Sequence, residues 1–312
     1  MEIGTLFHYL SSSCTIILPL VGTALGQGRA ARSMLDALNE QPQAGSQLKR
    51  TFLLGLALTE TAAILSAVVG GLMFASAPAH PTLATALAEL GVFIAMAVPA
   101  TAAGYLSSLP LRATLTSIAR QPLFASKISN LMLITISIMQ TSVILGLLVS
   151  LFIRGNLATI TDINAGIKLL ASGLVLGVGC LGPLIGLSKF SQKVCSMAGY
   201  NRDAYQPMLT FTFIAQAFIE TPILFSLLIS LIIISNTTAP TMALLAASVA
   251  MGFGTLGPGI SSGKIATAAC SRMGETPQLA ALLSRTSVLA QAVIDASVIY
   301  ALLVALILIF AV

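Results

Sequence analysis

The chain has 312 residues, 56% of them hydrophobic and 8% charged, with a mean hydropathy of +0.97 and a net charge of +5. A water-soluble domain carries about 25% charged residues, so this composition excludes one and points to an all-α polytopic membrane protein. The sequence has no basic domain that could hold a nucleic acid, no GxxxxGK[ST] phosphate loop and no metal-like spacing of its four cysteines.

Apolar runs and breakers predict eight helices, at 4–38, 48–76, 83–118, 124–153, 165–199, 205–235, 240–273 and 278–311. Several exceed the roughly 20 residues that cross a bilayer, so they should protrude on one side. The Met1–Cys14 start has no positive region and is not expected to be a cleaved signal. The first helix carries Gly22, Gly26 and Gly28, small residues that let helix backbones approach. The second, Phe52–Phe74, has one ionisable residue, Glu60, near its middle. A central carboxylate costs about 2.5–3.5 kcal/mol on insertion scales, and an acid kept there is a functional candidate by default. Cys14, Cys180, Cys195 and Cys270 sit mostly in apolar helix and are expected to be inert.

The pattern recurs down the chain. Pro42 precedes Glu60 by 18 residues, Pro122 precedes Gln140 by 18, Arg202 precedes Glu220 by 18 and Pro277 precedes Asp295 by 18. Gly22, Ala102, Gly182 and Gly257 each lie 20 before the loop position. Such periodicity identifies a tandem repeat. It divides the chain into four helical hairpins, at 1–79, 80–158, 159–237 and 238–312. In each, a helix of small residues is followed by a short polar loop and a helix with the polar centre. Copy three adds Gly186 to the small-residue helix and copy four adds Gly263. This density favours a crowded inner ring of helices. Thirteen of the fifteen Lys and Arg lie in or beside the hairpin loops, which makes the loops cytoplasmic and puts both termini on the opposite side. The basic surplus reports topology and a contact with acidic or lipid headgroups. His8 and His80 are expected in solvent near the outer surface, Glu89 as an interfacial charge, and Asp162 as a helix N-terminal signal.

With these residues in place, the chain resembles the c subunit of rotary ATP synthases, the proteolipid family. Gly26-Gln27-Gly28-Arg29-Ala30-Ala31 is similar to the glycine-rich first helix. Asn39-Glu40-Gln41-Pro42 and Ala119-Arg120-Gln121-Pro122 are similar to the loop that meets the catalytic head, and Gly55-Leu56-Ala57-Leu58-Thr59-Glu60 to the segment around the carboxylate. Copies three and four depart in the loop, with Tyr200-Asn201-Arg202 and Glu275-Thr276-Pro277. The Gln-Pro loops look F-type, with fused vacuolar-type proteolipids as the near relative.

The resemblance implies a homo-oligomeric ring in a bacterial inner membrane. It would turn against a stator, the a subunit, whose arginine acts in trans, and carry the central stalk of the head. Each carboxylate would take an ion from one half-channel and release it to another. Facing lipid, the charged form is disfavoured; beside a cation it is favoured. Glu60, Glu220 and Asp295 are then the ion carriers, and Gln140, which cannot titrate, holds the place in copy two. Gln27, Thr61, Thr221, Gln216 and Gln291 are the auxiliary candidates, the last two lying four residues before their acids. A hard cation wants several oxygens, and this set is incomplete across the copies, so the residues favour H+ over Na+ as the transported ion. No other cofactor is implied, and ATP is handled elsewhere in the complex. The competing reading is a secondary transporter built from internal repeats, but such repeats enclose one central site rather than the same acid position in each copy.

Overall fold

The computed structural model describes residues 2–75, 82–160 and 162–311. Among them there is no strand. Eight stretches are long and apolar enough to cross a membrane, from Gly4–Glu40 to Pro277–Phe310, and the chain is a multi-pass membrane protein.

The helices are α1 (Glu2–Glu40), α2 (Gly45–Ala75), α3 (Leu83–Leu106), α4 (Ser108–Arg120), α5 (Ala125–Gly155), α6 (Ile163–Gly179), α7 (Leu181–Ala198), α8 (Tyr205–Ser235), α9 (Thr241–Gly254), α10 (Leu256–Glu275) and α11 (Ala280–Phe310). Three of the eight predicted helices are therefore divided, at Ser107, Cys180 and Thr255. The cause lies three residues on, at Pro110, Pro183 and Pro258. A proline has no N–H to give the carbonyl four residues back, and those carbonyls belong to Leu106, Gly179 and Gly254, the last residues of α3, α6 and α9. Pro19, Pro99 and Pro222 lie inside unbroken helices. In those cases the residue after the freed carbonyl is bulky (Ile16, Met96, Ile219), whereas at the breaks it is Ser, Cys or Thr. At one break the freed group is satisfied by the next hairpin, because the Thr255 hydroxyl donates to the Gly179 carbonyl at 3.0 Å.

The helices form two rows. α1, α3–α4, α6–α7 and α9–α10 pack side by side in one row, and α2, α5, α8 and α11 form the second against it. Lipid offers no hydrophobic drive for this, so close contact and interhelical hydrogen bonds must supply it. Glycine makes the contact possible. A Cβ built on Gly173 would lie 2.1 Å from the Gly91 carbonyl oxygen, and one on Gly186 would lie 2.2 Å from that of Gly259. Gly22, Gly26, Gly182 and Gly263 face neighbouring backbone in the same way. Gly28 and Gly257, expected to pack, have nothing within 4 Å. They sit on α1 and α10, at the two ends of the first row.

Adjacent hairpins repeat at nearly constant depth. Hydrogen bonds join Arg112 to Ser33, Ser129 to Thr51, Cys195 to Ser117, Gly199 to Gln121 and Tyr205 to Lys127, each across 78 or 79 residues. The loops follow the same logic with one exception. Gln41, Gln121 and Thr276 share φ near −141° to −134° and ψ of 70–79°, each leading into a proline-headed 3-10 turn. Copy three has no such turn and is tied instead to its neighbours. Gln121 donates to the Gly199 carbonyl and accepts from Arg202 Nε at 2.5 Å, and Asn201 donates to the Gly274 carbonyl.

The structure moves two residues from where the sequence placed them. His8 and Glu89 are 1% and 2% exposed, and His8 Nδ1 lies 2.7 Å from Glu89 Oε1. Each is about two turns inside its helix, and the contact of α1 with α3 brings them to one level. His80 lies outside the described residues. Asp162 caps α6 as expected, with Oδ1 accepting from Ala165 N–H at 3.1 Å.

Candidate ion-binding sites at mid-membrane

The second-row helices α2, α5, α8 and α11 have 31 residues each, and Glu60, Gln140, Glu220 and Asp295 are the sixteenth of their helix in every case. At 1.5 Å per residue, each polar centre lies about 22 Å from either helix end. The position is the same in all four copies, so this placement is a property of the repeat.

The four environments differ. Glu220 is half-buried and is hydrogen-bonded to the Thr141 hydroxyl of the preceding hairpin. Thr141 Oγ1 is also 2.7 Å from the Ile138 carbonyl. A hydroxyl has one proton and two lone pairs. With Glu220 ionised, the proton goes to the carboxylate; with Glu220 protonated, the carboxyl donates to Thr141, whose own proton returns to Ile138. One threonine thus serves both charge states without moving the backbone.

Asp295 occupies the equivalent place beside Thr221, but its shorter side chain makes no such bond. Its Oδ1 is buried without a partner, and Thr221 turns back to the Ala217 carbonyl. Glu60 is exposed on α2, whose flank has no preceding hairpin. Thr61 bonds to the Leu58 carbonyl of its own helix. Gln140 is 8% exposed and donates to Ser107 Oγ at 3.4 Å.

The auxiliary glutamines do not reach the acids. Gln27 is half-buried on α1 and is not bonded to Glu60. Gln216 donates to Ser191 Oγ and to the Thr135 carbonyl, and Gln291 pairs with Ser287 and Ser262. Being four residues before its acid puts each glutamine on the same stripe, but the side chain turns toward the first row. Of the loop residues, Gln121 is committed to loop three, while Pro42 and Arg120 are exposed and Gln41 and Pro122 half-buried. The buried His8–Glu89 pair was missed from sequence. Its signal was a separation of 81 residues, one more than the repeat of 80 between the first two copies.

The geometry agrees with comparisons to known proteins. The family model for the ATP synthase C subunit matches residues 10–73, 170–233 and 245–308. The three matched segments contain Glu60, Glu220 and Asp295, and none of the three covers Gln140. The chain is 38% identical over 69 residues to an ATP synthase c subunit of Cereibacter sphaeroides, covering 22% of this chain and 83% of that protein. It is 43% identical over 67 residues to the ATP synthase c subunit of Petrotoga mobilis, covering 22% of this chain and 70% of that protein. It is 33% identical over 67 residues to the ATP synthase c subunit of Lactobacillus helveticus, covering 22% and 87%. Each relative thus corresponds to about one hairpin, and the family model recurs three times along a chain of four. The chain belongs to the family of ATP synthase C subunits.

Proposed function

We infer that the chain is the ion-carrying rotor subunit of a rotary ATP synthase or ATPase, with three carriers on four hairpins. The observation that carries this is Glu220, a carboxyl group at mid-span held by a threonine of the preceding hairpin that can serve its charged and neutral forms. Ion flow through each site would yield roughly 2.3 kcal/mol per unit charge per 100 mV. With Gln140 in the fourth place, ions and work per turn fall by a quarter relative to a fully acidic ring of the same size. That gearing suits ATP-driven pumping. The transported ion is the proton: one hydroxyl at Glu220 and none at Asp295 fall short of the several oxygens a hard cation requires.

Ring closure by further copies is supported by the ends of the first row. Gly22 packs on Thr101 and Gly182 on Leu256, so this register glycine meets the following hairpin at one fixed register. Continued past copy four, the uncovered Gly257 would meet Val21 of a second chain, and Val21 is 49% exposed. Such a ring would sit in a bacterial inner membrane with its loops cytoplasmic. A stator arginine would act in trans on its carriers, and the central stalk would rest on its loops.

The test is ATP-driven ion uptake by proteoliposomes holding the whole complex. The triple variant Glu60→Gln/Glu220→Gln/Asp295→Asn is expected to abolish uptake, and uptake at the wild-type rate would refute the assignment.

A further inference from the structure

The loop-side halves of α1, α4, α7 and α10 meet one another at a fixed register. Counted back from the loop markers Pro42, Pro122, Arg202 and Pro277, the residue five before is Ala37, Ser117, Met197 and Arg272 in turn. The residue six before is Asp36, Thr116, Ser196 and Ser271. The first of these positions faces the following hairpin. Ser117 Oγ donates to the Cys195 carbonyl at 2.9 Å, and a Cβ built on Gly199 would lie 2.3 Å from Ser117 Cβ. One interface further on, a Cβ built on Gly274 would lie 2.7 Å from Met197 Sδ. The second position belongs to the receiving helix at the same level, since Ser117 and Ser196 line one groove.

Inside the chain this register sets Ala37 beside Thr116, Ser117 beside Ser196 and Met197 beside Ser271. No interface within the chain opposes two charges there. The residue that breaks each series is charged: Arg272 in the first and Asp36 in the second. They stand on α10 and α1, whose outer flanks have no neighbour in the chain. Both are exposed. Among the described residues Asp36 is in no ion pair. Arg272 uses one terminal nitrogen, whose N–H donates to Glu275 at 2.7 Å. A guanidinium has five N–H donors, so that bond leaves it able to take a second carboxylate.

We propose that Arg272 pairs with Asp36 of a second copy of this chain, forming an ionic seam that no interface inside the chain has. The seam rests on the ring closure proposed above and adds what selects the neighbour. One open flank offers a base and the other an acid, so copies join head to tail. Two α1 flanks would set acid against acid, and two α10 flanks base against base, which is repulsive.

The experiment uses the full-length chain purified in detergent, with light scattering giving the mass of the assembly as detergent is added. The protein-to-detergent ratio at half-dissociation should rise about tenfold in Asp36→Arg and in Arg272→Asp, since a lost attraction and a gained repulsion are each worth a few-fold for exposed charges. Asp203→Arg, which reverses an exposed acid of the third loop away from the open flanks, should leave the ratio unchanged. Asp36→Arg/Arg272→Asp should restore it. The two positions lie at opposite ends of the row, so that rescue arises only between chains. Single reversals that assemble like the wild type, an equal effect of Asp203→Arg, or a double variant as weak as the singles would overturn the pair while leaving the ring. A wild-type chain that stays single at every ratio would overturn the ring and the seam together.

Discussion

Replacing Gly186 by alanine tests the packing on which the mid-membrane sites depend. A Cβ there would lie 2.2 Å from the Gly259 carbonyl oxygen and 3.1 Å from Ile219 Cγ2, where ordinary contact begins near 3.4 Å. The nearest obstruction is backbone, so α7 and α10 must part by about the difference, 3.4 − 2.2 = 1.2 Å. Overpacking of this kind costs about 1–3 kcal/mol. A shift of that size also loses dispersion contacts along the whole helix pair. Alanine would by itself favour the helix by about 1 kcal/mol over glycine, so a net loss shows that sterics dominate. Gly257→Ala is the control: with nothing within 4 Å, it should be neutral or stabilising in the isolated chain. The assay is the unfolding midpoint of each purified chain in mixed detergent micelles. A Gly186→Ala chain as stable as the wild type, or a Gly257→Ala chain equally weakened, would refute the close approach. Because Ile219 adjoins Glu220, Gly186→Ala should also change the reactivity of Glu220 more than that of Glu60.

Three further outcomes follow from the sites and the buried pair. Copy four offers Ala296 where Thr141 stands in copy two, so in a closed ring Glu60 would lack the hydroxyl that Glu220 has. A hydrogen bond is worth about 1 kcal/mol, a factor of about five. Glu60 and Glu220 should therefore differ severalfold in carbodiimide reactivity within the assembled ring, and Ala296→Thr should narrow the gap; an unchanged gap would count against the shared site. Gln140→Glu should raise ions carried per ATP by one third, from three to four per chain, measured as ion uptake against ATP consumed; no change would mean that copy two never faces the ion path. His8→Leu alone should cost about 1–3 kcal/mol, because it leaves the buried Glu89 carboxyl without its hydrogen-bond partner. The double variant His8→Leu/Glu89→Leu should recover part of that loss, and a double variant no better than the single would show that the two residues do not act as a pair.

The repeat was legible because its markers are chemically distinctive. One polar group in an apolar run and a turn residue at fixed spacing were enough to place four hairpins, and the structure centres each polar group on its helix. What sequence obscured was direction. Gln216 and Gln291 share a helix face with their acids, yet their amides turn to serines of the first row, a matter of rotamer and neighbour rather than spacing. The breaks at Ser107, Cys180 and Thr255 had a visible cause in the prolines beyond them. It takes the tertiary contacts, such as Thr255 reaching the Gly179 carbonyl, to decide which proline interrupts a helix. His8 and Glu89 were misplaced because each was judged by its distance from a chain or helix end. Their burial comes from the neighbouring hairpin.

The three-carrier rotor is tested most directly by carbodiimide labelling of the membrane-embedded protein across pH, with and without sodium, mapped residue by residue. Carbodiimide attacks a protonated carboxyl in lipid. The account predicts adducts at Glu60, Glu220 and Asp295, none at Gln140, and no protection by millimolar sodium. Protection by sodium would replace the proton with the sodium ion as cargo. Absence of adducts at all three acids would contradict the claim that they carry ions through the membrane.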